Sequence, residues 1–140
     1  MLYITGMQAL NIPCALHTGG DWHQSSMDWQ HLNLKDSDTG FFRDYGIEGP
    51  KKIPQHEGLF FVANHLRAVL DLLDAQDFCD AGGMRRDYIG NDEYDDELFS
   101  QVLKMRNLPK WPAIDRFMEK EYLMKWVNFR RKQNHESGHT

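Results

Sequence analysis

The sequence predicts an α+β protein: a small N-terminal antiparallel β-sheet or hairpin followed by three to four α-helices packed in one domain. Three observations predict it. Strand-prone and period-two segments are confined to the first third of the chain, apolar residues recur at three and four residues from Gly58 onward, and Gly or Pro punctuation separates the later segments.

Leu2-Tyr-Ile-Thr before Gly6, and Leu10-Asn-Ile-Pro-Cys-Ala-Leu after it, read as strands, with Pro13 marking an edge or a strand end. Thr18-Gly-Gly-Asp is a turn. Trp29-Gln-His-Leu-Asn-Leu alternates apolar and polar residues, as a half-buried strand does. Residues 35–55 read as a loop pinned to the body by Phe41, Phe42, Tyr45 and Ile47. Leu59, Val62, Leu66, Val69, Leu70 and Leu73 then form the stripe of an amphipathic helix, with Asn64, Arg67, Asp71 and Asp74 on its polar side. Arg67 and Asp71 stand four apart and can pair for a few tenths of a kcal/mol, roughly the value of a surface pair.

Ala81-Gly-Gly breaks that helix. The next should start near Asp92, where acids suit the positive end of a helix dipole, and bury Leu98, Val102 and Met105. Leu108-Pro-Lys-Trp-Pro stops it. Pro112 is placed to begin a last helix that buries Ile114, Phe117, Met118 and Met124 and runs past Val127. One domain is expected over 1–133, with a flexible polar tail over 134–140.

Composition narrows the class. Hydrophobic residues make up 41% of 140 residues, enough apolar area for a core, so disorder is not expected. No run approaches the roughly 20 apolar residues of a spanning helix, and Met1-Leu-Tyr-Ile-Thr-Gly has no basic leader or long apolar stretch, so neither membrane nor secretory signal is expected. Cys14 and Cys79 are too few for a disulfide framework and suit the cytoplasm. Ten acids between Asp71 and Glu97 face only Arg85 and Arg86, whereas nine Lys or Arg face four acids from Leu98 onward. Such an acidic centre repels nucleic acid and attracts a basic protein surface.

Four segments carry candidate chemistry. His17, Asp21 and His23 fall within seven residues and supply imidazole and carboxylate, the ligands of zinc and of nuclease metals, although their spacing matches no standard motif. A glycine turn whose Asp21 bonds nearby amides while Trp22 packs explains the same residues. Asn64-His65-Leu66-Arg67 can hold a phosphate or carboxylate, or be an isolated His beside a paired Arg. Gly82-Gly83-Met84-Arg85-Arg86-Asp87 lacks the ending of a P-loop; Arg85 and Arg86 are better suited to a partner's carboxylate. Asn91-Asp-Glu-Tyr-Asp-Asp-Glu lacks the glycine of a calcium loop. Its acids, Asp92, Glu93, Asp95, Asp96 and Glu97, exceed what a cap needs and with Tyr94 offer a docking face.

The runs Ile4-Thr-Gly, Ala9-Leu-Asn-Ile-Pro-Cys and Gly20-Asp-Trp-His, with Asp44-Tyr-Gly-Ile-Glu, Val62-Ala-Asn-His-Leu-Arg-Ala and Asn91-Asp-Glu-Tyr, resemble a group of small bacterial proteins associated with two-gene toxin and antitoxin modules. The resemblance implies a partner that neutralises a toxin and carries over no binding residue. The expected function is therefore an antitoxin-like or immunity-like protein-binding module, with no cofactor or metal, that occludes a basic surface on a toxin. Its partner-binding residues would be Trp22, Arg85, Arg86, Asp92, Glu93, Tyr94, Asp95 and Asp96. The alternative is a small metal-dependent hydrolase or nucleic-acid-processing enzyme using His17, Asp21 and His23, helped by Asn64, His65 or Arg67. A structural subunit is the third reading. The sequence leaves a homo-oligomer open.

Overall fold

A computed structural model describes residues 1–137. Its class is α+β: the strands come first and helices follow. Contacts divide the chain into two compact units, Met1–Gly90 and the segment from Asn91 onward.

The first unit holds β1 (Leu2–Ile4), α1 (Gly6–Leu10), β2 (Leu34–Asp36), β3 (Ile47–Lys52), β4 (Leu59–Ala63), α2 (His65–Asp74) and α3 (Phe78–Ala81). A single 3₁₀ turn spans Gln24–Ser26, and a wide π turn spans Met84–Ile89. The sheet runs β2-β1-β4-β3 and is mixed: β1 pairs antiparallel with β2 and parallel with β4, and β3 pairs antiparallel with β4. Helices α1 and α2 pack on each other and on β4.

Several sequence expectations shift here. Residues 10–16 are not a strand: Gly6–Leu10 is a short helix, and irregular turns follow. The alternation at Trp29–Leu34 is largely not a strand either, because only Leu34 enters β2; Trp29 is buried and its indole N–H donates to the Gln24 carbonyl at 2.9 Å. The Gln8 amide replaces a ladder there, donating to the carbonyls of Asp28 and His31. The expected loop over 35–55 contains β3, an edge strand with a bulge between Glu48 and Lys51 that accommodates Pro50. Of the aromatics expected to pin the loop, Phe42 is buried and Phe41 is exposed.

The single helix expected from Leu59 is two elements. Phe60, Phe61 and Val62 are strand formers and lie in β4; the Asn64 side chain then caps α2 by accepting from the Arg67 N–H at 2.8 Å. The polar side of that helix is not solvated. Arg67 is fully buried, with Nε donating to Asp71 at 2.9 Å, Nη1 donating to the carbonyls of Arg43 and Tyr45 at 2.6 Å, and Nη2 donating to the Tyr3 hydroxyl at 2.7 Å. Tyr3 and Thr5 each donate to the other Asp71 oxygen at 2.6 Å. The guanidinium also sits 4.9 Å from the Tyr3 ring centroid. This buried network locks β1, α2 and the 43–45 turn together.

The second unit is three helices, α4 (Asp95–Leu103), α5 (Trp111–Tyr122) and α6 (Met124–Ser137). Phe99 is its hub, meeting the rings of Tyr122, Trp126 and Phe129 edge-on at 4.9, 5.4 and 5.4 Å. Leu98, Val102 and Met105 are buried as expected. The last helix is interrupted: Leu123 takes φ 55° and ends α5, so Met124, expected in the core, is 56% exposed and Trp126 is buried instead. Asp115 ties the two helices, accepting from the Trp126 indole at 2.8 Å and from Arg130 at 2.7 Å. Helix α6 continues to Ser137; the rest of the expected flexible tail lies outside the described residues.

Candidate functional site

The first unit carries a cleft of about 480 Å³ lined by Leu10, Asn11, Ile12, Pro13, Thr18, Gly19, Trp22, Gln24, Ser25 and His65. All but His65 come from the end of α1 and the stretch that follows it to the 3₁₀ turn, which is why no periodic pattern announces it.

Asn11 organises that segment. Its amide donates to the Met7 carbonyl and to Asp21, and its side-chain oxygen accepts from the His23 N–H at 2.7 Å. Gly20 N–H donates to Tyr88, and Asp21 N–H to Leu10, each at 2.9 Å. Gly20 has φ 76°, and a Cβ there would overlap the Leu10 carbonyl oxygen and lie 3.0 Å from the His65 ring, so only glycine fits between the turn and that ring. Trp22 is held at φ 63°, in the left-handed region, and is 83% exposed at the cleft wall. A left-handed non-glycine residue costs about 1–3 kcal/mol and persists only where its surroundings hold it, as the bonds from Asn11 hold this turn.

Two lining residues, Thr18 and His65, form a chain with the buried Cys14, which does not line the cleft. Cys14 Sγ lies 3.4 Å from Thr18 Oγ1, and Thr18 Oγ1 lies 2.6 Å from His65 Nδ1. His65 Nε2 lies 2.9 Å from the Ile12 carbonyl. A carbonyl can only accept, so Nε2 carries a hydrogen. With a neutral ring, Nδ1 accepts from Thr18, which accepts from the Cys14 thiol. With a charged ring the order reverses: Nδ1 donates to Thr18, which donates to a thiolate. Every group stays satisfied in both states. Burial pushes the Cys14 thiol up, but the neighbouring His65 and the Thr18 hydrogen bond outweigh it and bring it down to about 6. Burial opposes the charged His65 ring, but Cys14 holds it above its ordinary value.

The residues singled out from sequence are placed as follows. His65 is in the cleft, and Trp22 stands on its wall. Asp21 and His23 pair at 3.1 Å, while His17 is exposed on the preceding turn. Among the described residues no group of three His, Cys, Asp or Glu side chains converges to hold a metal ion. Arg67 is consumed by the buried network and Asn64 by the cap. Arg86 is exposed, and Arg85 is half-buried on the same π turn. In the second unit, Lys125 takes up two of the acids, Asp92 at 2.7 Å and the buried Asp95 at 3.5 Å; Glu93 and Asp96 remain exposed beside Tyr94.

Cys14 and Thr18 were not legible as site residues. The segment from Cys14 to His23 shows a Cys, two His and an Asp within ten residues, but not the partner, His65, 47 residues beyond Thr18. Compared with protein-family models, curated proteins and solved structures, the chain matches none. Among the described residues no helix is long and apolar enough to cross a membrane.

Proposed function

We propose that this chain is a protein-binding module of the antitoxin-like or immunity-like kind, acting in the bacterial cytoplasm and contacting its partner through the mouth of the Leu10–Ser25 cleft. The exposure of Trp22 carries the reading. A tryptophan left 83% in water while Asn11 and its neighbours fix its backbone is a preorganised aromatic anchor, and such anchors dominate binding energy at protein interfaces. The apolar wall of Leu10, Ile12 and Pro13 beside it suits an apolar side chain of the partner. Two free thiols fit a reducing compartment.

The acidic stretch contributes less than its composition suggests, because Asp92 and Asp95 are engaged by Lys125. Exposed Glu93 and Asp96 remain to steer a basic partner, an effect on association rate more than on affinity. Co-expression with the product of the adjacent gene, followed by co-purification, tests the reading: a complex with rescue of growth supports it. Trp22→Ala should weaken that complex about 30-fold, the equivalent of about 2 kcal/mol at a hot spot. Unchanged affinity would remove Trp22 as the anchor, and no complex would remove the function.

A further inference from the structure

A cleft used only for docking would not need a proton-carrying chain at its polar end. We infer that Cys14, Thr18 and His65 form a nucleophilic thiol centre that accepts an acyl group from an activated ester or thioester seated in the cleft. The inference is independent of any protein partner.

Geometry carries it. A nucleophile, a base and a group that orients the base are the parts of an activated thiol. Here Cys14 supplies the first, His65 Nδ1 the second through the Thr18 hydroxyl, and the Ile12 carbonyl on Nε2 the third. The lining selects the substrate class. Leu10, Ile12, Pro13 and Trp22 are apolar, and no lysine or arginine lines the cleft, so a phosphoryl group would find only the imidazolium while an apolar acyl chain would find a wall. Thr18 and His65 line the cleft and Cys14 does not; the cysteine is buried at 8% residue exposure and bonded to Thr18, so a substrate in the cleft meets the sulfur only past that hydroxyl.

The step balances. Thiolate Sγ bonds to the carbonyl carbon while the C=O π pair moves onto oxygen. As that pair returns, the bond to the leaving alcohol or thiol breaks, and the leaving group takes the proton that His65 delivers through Thr18. The S-acyl Cys14 and neutral His65 remain. Water then adds to the same carbon, giving its proton to His65; the carbon–sulfur bond breaks, and the carboxylic acid leaves with thiolate and imidazolium restored.

The test uses the full chain carrying Cys79→Ser, which removes the other, exposed thiol. Iodoacetamide reads thiolate content. At pH 6 a thiol of pKa about 6 is half ionised, about 160-fold more than a free thiol near 8.5, and its lower intrinsic nucleophilicity gives back about 13-fold. Cys14 should therefore react about tenfold faster than a small free thiol at pH 6, with a rate midpoint near 6. His65→Gln should remove that advantage. p-Nitrophenyl acetate should leave one acetyl group on Cys14, located by mass spectrometry. Alkylation only after unfolding, a midpoint near 8.5, or acetylation of Thr18 in place of Cys14 would each overturn the inference. Should His65→Gln fail to fold, the pH–rate profile and the acetyl site of the Cys79→Ser chain decide alone.

Discussion

Replacing Arg67 with methionine tests the central packing claim, that the first unit depends on a buried ion pair rather than on a surface one. Methionine keeps the apolar stem and deletes the guanidinium. That leaves the Asp71 oxygen 2.9 Å from Nε, and the carbonyls of Arg43 and Tyr45, without their donor. Breaking a buried pair from one side costs about 3–5 kcal/mol, against a few tenths for an exposed i,i+4 pair. At a urea slope of roughly 1–3 kcal/mol/M, a loss of 4 kcal/mol moves the midpoint down by about 2 M. The assay is urea unfolding followed by circular dichroism, with the loss falling on the transition of the Met1–Gly90 unit if the two units unfold separately. Arg67→Met/Asp71→Leu should recover part of the loss, because no uncompensated carboxylate remains. A single-variant cost below 1 kcal/mol would refute the reasoning, as would a double variant less stable than Arg67→Met.

Other outcomes follow from the same structure. Phe99→Ala removes the ring shared by Tyr122, Trp126 and Phe129 and should cost about 3–5 kcal/mol, read as loss of near-ultraviolet dichroism from the second unit. Asp96→Lys with Glu93→Lys should cost about 0.3–1 kcal/mol, since Asp96 lies at the positive end of the α4 dipole, while slowing association with a basic partner in stopped flow. Stability against pH gives a sign test of the Cys14–His65 pair. The lowered folded pKa of Cys14 makes its contribution full above the unfolded thiol value and lost as pH falls through about 6, whereas the raised His65 contributes below about 6.5 and is lost as pH rises through its folded value, so the two oppose each other. In Cys14→Ser, burial becomes the main influence on His65 and lowers its folded pKa. The variant should then lose stability as pH falls below about 6.5 more steeply than the parent chain; parallel curves in chemical denaturation would remove the coupling.

The α+β class was legible because β-formers cluster early and the apolar stripe of α2 is real. Its start was not, because Leu59 and Val62 fall on the helical period by coincidence while lying in β4. Asn64, a cap residue at the junction, was the signal that separates the two elements. The break at Leu123 carried no Gly or Pro to mark it. From sequence Arg67 and Asp71 look like a surface pair, because local spacing cannot reveal that Tyr3, Thr5 and two carbonyls close over them. The cleft escapes for the same reason: Thr18 and His65 meet only through tertiary structure, and within the Cys14 to His23 segment the metal-ligating residue types of His17, Asp21 and His23 are the more visible feature.

Four tryptophans are present, and their surroundings make the molecule its own optical probe. Trp29 and Trp126 are sealed in and Trp111 is half-buried, so the red-shifted, iodide-quenchable part of the emission belongs to Trp22. Anything that seats beside that indole, whether a peptide or a small acyl compound, displaces water from it. The light should turn bluer and quench less, so occupancy can be titrated without a label.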